Sequence, residues 1–242
     1  MVATAFLKWN EALKDIRIGI VGGGYMGKAH AVAYAAVASV FDTELRPVLE
    51  MVCSSSSATA EKYRKAFGFS RATSDWRVLV ADPKVDAIII ATPQKFHRAI
   101  AETAFKLGKP VFCEKPLGAS LEDSRAMLSA ANLSDTINMV GFNYIRTPAS
   151  QYVRELVLSG RIGEVIWFRG EHTEDFFADS KEPATWRCRG RANGTMGDLA
   201  PHMINAARRL VGPIKSLIAS VETVYGSRPS GKVDNDDQAQ IM

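Results

Sequence analysis

The sequence predicts an α/β fold. An N-terminal Rossmann domain with a doubly wound parallel sheet is followed by a C-terminal α/β domain with an open, mainly antiparallel sheet. Short apolar runs rich in Val and Ile alternate with helical patterns as far as Asn143, which is typical of βαβ units. A glycine-rich turn, Gly22–Gly27, directly follows the first run and opens a helix, the context in which dinucleotide-binding turns occur.

The elements of the first domain follow from these patterns in order. Asp86–Ala91 is the clearest buried strand because it carries three consecutive isoleucines, and strands covered on both faces are apolar throughout. The predicted strands are Ile16–Val21, Arg46–Cys53, Asp86–Ala91, Pro110–Cys113 and Ile137–Gly141. The predicted helices are Met26–Val40, Thr59–Phe67, Phe96–Leu107 and Leu121–Ala131.

After Asn143 the spacing of the elements changes. We expect a helix at Ala149–Leu158, a long alternating strand at Glu164–His172, a helix ending at Leu210 and a strand at Ile214–Val224. Long alternating strands indicate an antiparallel sheet with one exposed face. We therefore divide the chain into an NAD(P)-binding domain, residues 1–145, and a substrate and oligomerisation domain, residues 146–242.

Composition excludes several classes of function. The net charge is +4, and the basic residues form no tract interleaved with aromatics, so we expect no nucleic-acid partner. The apolar runs are too short to span a bilayer, and the N-terminal residues lack the apolar core of a signal peptide. The three cysteines, Cys53, Cys113 and Cys188, form no CxxC pair. We therefore expect a cytoplasmic protein without disulfides, metal or membrane partner.

The glycine turn fits the pattern G-x-G-x-x-G. In that pattern Gly22 makes the tight turn, Gly24 lets the backbone approach a pyrophosphate, and Gly27 lets helix and strand pack closely. The free N–H groups at the helix N-terminus then attract the phosphates. We expect the cofactor to contact Gly22, Gly24, Tyr25, Met26 and Gly27.

The choice between NAD and NADP depends on the end of the second strand. An acidic residue there would bind the ribose hydroxyls of NAD, but Asp42 precedes the strand, and Ser54 begins a run of serines at its end. The serines, with Lys62 or Arg64 nearby, would suit a 2′-phosphate, or they would bind a ribose hydroxyl directly. The cofactor is therefore NAD(P), with a slight preference for NADP.

Asp198 stands four residues before His202, a spacing that places both on the same side of a helical turn. Asp198 also suits the N-cap of a helix that has Pro201 in its first turn. Judged from these residues alone, a capping aspartate followed by a packed histidine is favoured over an active-site pair.

Several motifs occur in one order along the chain: Gly19–His30, Ala91–His97, Cys113–Pro116, Gly141–Asn143, Trp186-Arg187, Gly197-Asp198 and His202. The most specific is Glu114-Lys115-Pro116 after a short strand. Together the motifs resemble the Gfo/Idh/MocA family of oxidoreductases. Within that family, the stretch from Trp186 to His202 is most similar to bacterial sugar dehydrogenases that act on inositol or levoglucosan.

The resemblance implies hydride transfer between a sugar or polyol hydroxyl carbon and the nicotinamide, and it favours the active-site pair over the helix cap. Lys115, Asp198 and His202 would be catalytic, with His202 as the base because imidazole titrates near neutral pH. It also implies a homo-oligomer formed through the C-terminal sheet. The further cofactor contacts would be Ser54, Thr92, Pro93, His97, Glu114, Lys115, Asn143, Trp186 and Arg187.

Alternatives remain open at this point. A dinucleotide-binding sensor, or an inactive truncated relative, would keep the fold without catalysis, and reduction of an aldehyde or imine would use the same residues. Members of the family continue beyond Met242, so we expect the second domain to be incomplete. Arg187 is also a candidate for an interdomain salt bridge, and we expect His30 and His172 to be structural.

Overall fold

The computed structural model describes residues 13–242, which form two compact units. The first contains the described residues up to Glu114 together with Arg125–Met139. The second contains Lys115–Ser124 together with Val140–Met242.

A six-stranded sheet forms the centre of the first unit, in the order β3-β2-β1-β4-β5-β6. β1 pairs in parallel with β2 and β4, β2 with β3, and β4 with β5. This is the strand order of a Rossmann sheet, so the predicted fold class is confirmed. The strands are β1 (Lys14–Val21), β2 (Leu45–Cys53), β3 (Arg71–Thr73), β4 (Ala87–Ile90), β5 (Val111–Cys113) and β6 (Asn138–Val140).

Helices connect these strands. The sequence patterns missed α3 and β3 because a six-residue helix and a three-residue strand are too short to show periodicity. Ser56 caps α2 and Asp75 caps α3, each accepting a hydrogen bond from a backbone N–H of the first turn. The helices are α1 (Tyr25–Val40), α2 (Ser57–Phe67), α3 (Trp76–Ala81), α4 (His97–Lys106) and α5 (Leu121–Asn132).

The core of the first unit lies around β1 and β4. All four residues of β4 are buried, as its continuous apolar run predicts. Ile20, Ile88 and Ile90 are fully buried, and each contributes about 1.5–3 kcal/mol through burial of its side chain. Because Val21 lies opposite Ile90 in the parallel register, the turns that follow β1 and β4 lie side by side.

The second unit contains α6 (Pro148–Leu158) and α7 (Ala200–Leu210). Its strands form two small antiparallel pairs, β10 with β7 and β8 with β9, which agrees with the expected antiparallel arrangement. The strands are β7 (Ala219–Glu222), β8 (Ser227–Arg228), β9 (Gly231–Lys232) and β10 (Gln238–Ile241).

The predicted strand Glu164–His172 does not form. A strand needs a neighbour that accepts and donates its backbone hydrogen bonds, and no strand within residues 13–242 pairs with this segment. Ile166 is 90% exposed and Trp167 is 81% exposed. The predicted strand Ile214–Val224 is also shorter than expected, because only β7 is paired.

Two further observations concern the whole described chain. None of the helices within residues 13–242 combines the length and the apolar character that crossing a bilayer requires. Cys53, Cys113 and Cys188 are free and buried. Burial raises the pKa of Cys53 to about 11, so its thiol stays protonated at neutral pH.

Candidate active site

The glycine turn has the geometry that a dinucleotide needs. Gly22 has φ +106°, and a Cβ there would lie 2.3 Å from the carbonyl oxygen of Ala91. A Cβ on Gly27 would lie 1.9 Å from the carbonyl oxygen of Gly22. Gly24 differs, since a Cβ there would meet no atom within 4 Å. Two glycines are thus required by packing, and the third leaves open space beside the backbone.

The N-terminus of α1 adjoins that open space. Gly24 precedes the helix and no side chain caps it. No acidic residue lies in the first turn, so the backbone N–H groups and the positive end of the helix dipole stay available to an anion. Tyr25 is 82% exposed and Met26 is partly buried. These positions fit the predicted pyrophosphate contacts.

The turn after β4 carries Thr92, Pro93 and His97. The Thr92 hydroxyl oxygen is buried and has no hydrogen-bond partner among the described residues. His97 is 1% exposed, and its Nε2 lies 2.8 Å from the carbonyl oxygen of Thr92, so the imidazole shapes this turn. A polar atom without a partner at the carboxyl edge of a doubly wound sheet is a candidate ligand contact.

The serines after β2 have mixed roles. Ser56 is used as the cap of α2, whereas Ser54 follows β2 directly and is half-buried. The Arg64 guanidinium makes two hydrogen bonds of 2.8 Å to Glu61, so an acidic partner already occupies it. Lys62 is exposed. Three residues were candidates to bind a 2′-phosphate, namely Ser54, Lys62 and Arg64. Of these, Arg64 is the least available.

Glu114 is held by a residue that the sequence interpretation treated as packing. Its Oε1 lies 2.8 Å from Nε2 of His30 on α1, and the two side chains are only 9% and 14% exposed. The His30 ring also makes an edge contact with Phe112, with centroids 5.0 Å apart. His30 thus fixes the glutamate that directly precedes Lys115.

Lys115 and Asp198 form an ion pair within the second unit. The Lys115 ammonium donates to Oδ1 of Asp198 over 2.5 Å and to its carbonyl oxygen over 2.8 Å. Arg187 Nε lies 3.8 Å from the other carboxylate oxygen. The Lys115 side chain is 15% exposed and that of Asp198 is 28% exposed, so water screens the pair only partly. Two of the three predicted catalytic residues are therefore in direct contact.

Asp198 is not a helix cap, so that interpretation is wrong. It lies inside a π-helical turn, Thr195–Leu199, which continues directly into α7, and Leu199 precedes α7 without capping it. The helical backbone therefore begins after Gly194 rather than at Asp198. Because the Asp198 carboxylate is engaged with Lys115, it caps no N–H of α7. Short π-helical turns are frequent at functional sites.

His202 lies in a cluster of aromatic rings that sequence analysis did not anticipate. It is 6% exposed in the first turn of α7. Its ring centroid lies 4.3 Å from that of Tyr144, 6.3 Å from that of Phe142 and 5.5 Å from that of His172. His172 Nε2 lies 3.1 Å from Glu174 Oε1. Interpretation of His172 as a structural residue on a strand overlooked this stacking, because the ring contact joins distant parts of the sequence.

The remaining candidates lie near these groups to different degrees. Trp186 and Arg187 form a short 3₁₀ turn, and the Arg187 guanidinium stacks on the Trp186 ring at 4.4 Å. Arg187 contacts Asp198 of its own unit. Asn143 is exposed and precedes the 3₁₀ turn that carries Tyr144.

Cavities in the two units differ in character. In the first unit an apolar cavity of about 320 Å³ lies against the sheet, lined by Ile16, Tyr34 and Phe112 among others, and burial raises the pKa of Tyr34 to about 12. It contains none of the motif residues. In the second unit a smaller cavity of about 90 Å³ is lined by Glu174, Phe176, Arg187 and Asp198. The smaller one lies beside the charged groups of Arg187 and Asp198.

The fold and these residues define a class: a Rossmann protein whose glycine turn fits a dinucleotide and whose second unit carries a Lys–Asp pair and a histidine. The described residues contain no cluster of three or more His, Cys, Asp or Glu side chains suited to a metal. Residues 16–142 match the oxidoreductase family with an NAD-binding Rossmann fold. Residues 150–242 match the GFO/IDH/MocA C-terminal domain. The chain belongs to the Gfo/Idh/MocA family.

Known relatives include sugar and cyclitol dehydrogenases. Levoglucosan dehydrogenase of Pseudarthrobacter phenanthrenivorans is 36% identical over 95% of this chain and 64% of its own length. Inositol 2-dehydrogenase of Rhizobium meliloti is 30% identical over 94% of this chain and 64% of its own length. The structure of a levoglucosan dehydrogenase complex with NADH and levoglucosan superposes with a TM-score of 0.92 and 38% identity, covering 95% of this chain and 63% of that one. The chain thus spans slightly under two thirds of these relatives.

Proposed function

We propose that the protein is an NAD(P)-dependent oxidoreductase that transfers a hydride between the cofactor and a carbon bearing a hydroxyl group in a sugar or cyclitol. The observation that carries this proposal is the 2.5 Å contact between Lys115 and Asp198, within the unit that also buries His202. In the proposed division of labour, residues 1–145 bind the cofactor and residues 146–242 bind the substrate and a second copy of the chain.

Lys115, Asp198 and His202 have distinct proposed roles. A bound nicotinamide supplies the hydride acceptor or donor. His202 takes the hydroxyl proton during oxidation and returns it during reduction. Lys115 donates a hydrogen bond to the same substrate oxygen and so stabilises the negative charge that develops on it. Asp198 holds the Lys115 ammonium in place, and Arg187 lies near the second carboxylate oxygen of Asp198.

For the cofactor we favour NAD(H). The slight preference for NADP from the sequence rested on Ser54 with Lys62 or Arg64, and Arg64 is engaged by Glu61. The levoglucosan dehydrogenase relative was solved with NADH. Ser54 directly follows β2. Its neutral hydroxyl can hydrogen-bond a ribose hydroxyl, and it carries no positive charge that would select a phosphate.

For the substrate we favour a cyclic polyol without charge, such as an anhydrosugar or a cyclitol. The small cavity beside Asp198 combines carboxylates, Arg187 and the aromatic ring of Phe176. Hydroxyl groups pair with the charged side chains and a sugar ring packs on an aromatic face. Named relatives act on levoglucosan and inositol, which agrees with this class. The exposed Ile166 and Trp167 support self-association of the second domain.

Two measurements test the proposal. NADH and NADPH are titrated separately into the chain by calorimetry, and NADH formation is then followed with levoglucosan or myo-inositol as substrate. We expect NADH to bind more tightly than NADPH and one of the two polyols to be oxidised. Lys115→Met is the matched control, because it removes the ammonium and leaves the glycine turn intact.

The outcomes separate the alternatives. If the unsubstituted chain oxidises one of the polyols and Lys115→Met abolishes that turnover, the result supports a dehydrogenase. Tight cofactor binding without turnover of any polyol indicates a dinucleotide sensor instead. Failure to bind either dinucleotide contradicts the proposed function altogether.

A further inference from the structure

A loop between β9 and β10 holds the turn that carries Asp198. Asp236 in this loop accepts hydrogen bonds from two backbone N–H groups. Its carbonyl oxygen accepts from Thr195 over 3.0 Å, and its Oδ2 accepts from Met196 over 2.6 Å. Thr195 and Met196 are the first two residues of the π-helical turn. Asp236 therefore caps that turn from a distant part of the chain.

The cap has a physical purpose at this position. The first N–H groups of a helical segment have no acceptor within the segment, and a carboxylate there also interacts favourably with the helix dipole. Gly194, which precedes the turn, offers no side chain. A carboxylate hydrogen bond as short as 2.6 Å to an N–H is of the charge-assisted, stronger kind.

The glycines of the turn fit this arrangement. Gly194 has φ +75°, and a Cβ there would lie 2.5 Å from the carbonyl oxygen of Asp236. A Cβ on Gly197 would lie 2.3 Å from the carbonyl carbon of Ala192. Glycine at position 194 allows the loop to approach this closely, and glycine at position 197 allows the turn to pack against Ala192. Both glycines thus have packing roles outside the predicted pyrophosphate turn.

The same loop also holds the segment that carries Arg187. Asn235 is 7% exposed, and its Nδ2 donates to the carbonyl oxygen of Arg187 over 2.6 Å. The carboxylate of Asp234 accepts the Gly190 N–H over 2.6 Å. One loop thus fixes the backbone of the two segments whose side chains, Arg187 and Asp198, meet at 3.8 Å.

We propose that Asp236 is a positioning residue for the hydride-transfer reaction: by capping the π-helical turn it sets Asp198, and through Asp198 the Lys115 ammonium, at the place where the substrate oxygen binds. This inference rests on the proposed function. Asp236 contacts the turn at the N–H groups of Thr195 and Met196, so it acts on Asp198 through the backbone. Displacement of a catalytic group by about 1 Å costs up to about 100-fold in rate.

The test compares Asp236→Ala and Asp236→Asn with the control Asp179→Asn. Asparagine keeps an oxygen that accepts the Met196 N–H, whereas alanine does not. The Asp179 carboxylate also accepts a backbone N–H, that of Lys181 over 2.8 Å, but Asp179 is exposed and does not line the cavity beside Asp198. For each variant we measure kcat, KM, NADH affinity and hydrogen exchange of peptides that cover residues 191–200.

We expect Asp236→Ala to lower kcat about 10- to 100-fold, with unchanged NADH affinity and faster exchange in residues 191–200. Asp236→Asn restores most of kcat, and Asp179→Asn changes kcat by less than about twofold. Faster exchange with unchanged kcat and KM would mean a purely structural cap and overturn the inference. Unchanged hydrogen exchange in residues 191–200 of a folded Asp236→Ala variant also overturns the inference.

Failure of the proposed function is distinguishable from failure of this inference. An unsubstituted chain that oxidises no polyol contradicts the function, whereas the exchange measurement still decides whether Asp236 orders the Asp198 turn. If Asp236→Ala does not fold, the Asp236→Asn variant carries the comparison, because loss of the charge alone weakens the Met196 hydrogen bond. In that variant, faster exchange in residues 191–200 with kcat and KM equal to the unsubstituted values overturns the inference.

Discussion

The Lys115 ammonium lies 2.5 Å from a carboxylate oxygen of Asp198 and 2.8 Å from its carbonyl oxygen, although the two residues are 83 positions apart in the chain. The carbonyl contact requires the π-helical turn, because that turn sets where the Asp198 backbone stands. Both the side chain and the main chain of Asp198 thus constrain one ammonium group. A flexible lysine held at two points is restricted in its orientation.

Removal of the Asp198 charge tests this arrangement directly. We expect Asp198→Asn to lower kcat about 10- to 100-fold, because the neutral amide holds the Lys115 ammonium less firmly in place. NADH affinity stays within about twofold, since binding to the glycine turn does not involve Asp198. Steady-state kinetics and calorimetry measure the two quantities. Glu171→Gln is the control because the Glu171 side chain is 75% exposed; an equal loss there would contradict the assignment.

The glycine turn allows a second test, since two of its glycines have separable roles. Gly27→Ala places a Cβ 1.9 Å from the Gly22 carbonyl oxygen, so we expect it to lower the free energy of unfolding by about 2–3 kcal/mol. Gly24→Ala meets no atom within 4 Å and leaves the melting temperature unchanged. Because its methyl group occupies the space left for the pyrophosphate, Gly24→Ala weakens NADH binding at least about tenfold.

Thermal melting and calorimetric titration of both variants decide this prediction. A Gly24→Ala protein that binds NADH as tightly as the unsubstituted chain would show that the pyrophosphate lies elsewhere. A fully stable Gly27→Ala protein would contradict the close approach of α1 to the backbone of Gly22.

The histidine cluster gives a third prediction. His172 stacks on His202 with centroids 5.5 Å apart and an interplanar angle of 22°. We expect His172→Ala to lower kcat about tenfold, because the His202 ring loses a neighbour that restricts its orientation. His172→Phe keeps a ring at the same place and retains more activity than His172→Ala. Kinetic comparison of the two variants checks this; equal activities would show that the ring contact has no part in catalysis.

Much of the first domain was predictable because its signals are local. The continuous apolar run of β4 and the glycines after β1 report burial and backbone conformation directly in the sequence. The strand Glu164–His172 failed as a prediction for the opposite reason. Alternation describes a possible face, but a strand also needs a partner, and no strand within residues 13–242 supplies one.

The candidate site shows the same limit. Lys115, Asp198 and His202 were identified through motifs, and the structure joins Lys115 to Asp198. The stacking of His172 and the capping of the Asp198 turn by Asp236 join residues 30 to 41 positions apart. Such contacts leave no periodicity in the sequence. The prediction that Asp198 caps a helix was wrong, because the sequence pattern of a cap also fits an aspartate whose carboxylate binds another group.

Acid stability offers a prediction independent of function. Asp82 accepts hydrogen bonds of 2.5 Å and 2.9 Å from the Arg71 guanidinium, and this pairing lowers the pKa of Asp82 to about 2 from its ordinary value of 3.8. Because the folded-state pKa is depressed, the carboxylate stabilises the fold fully above about pH 4. That contribution is lost as the pH falls from about 4 through about 2.

We expect Asp82→Asn to lower the free energy of unfolding at neutral pH by about 1 kcal/mol, a value that allows for screening around Arg71, whose side chain is 37% exposed. The difference between variant and unsubstituted chain should shrink steadily below pH 4, since protonation removes the same charge. Denaturant melts between pH 2 and pH 7 measure it. Asp15→Asn is the control, because its partner Arg46 is 57% exposed. A constant difference at every pH would show that the Asp82 carboxylate contributes by shape rather than by charge.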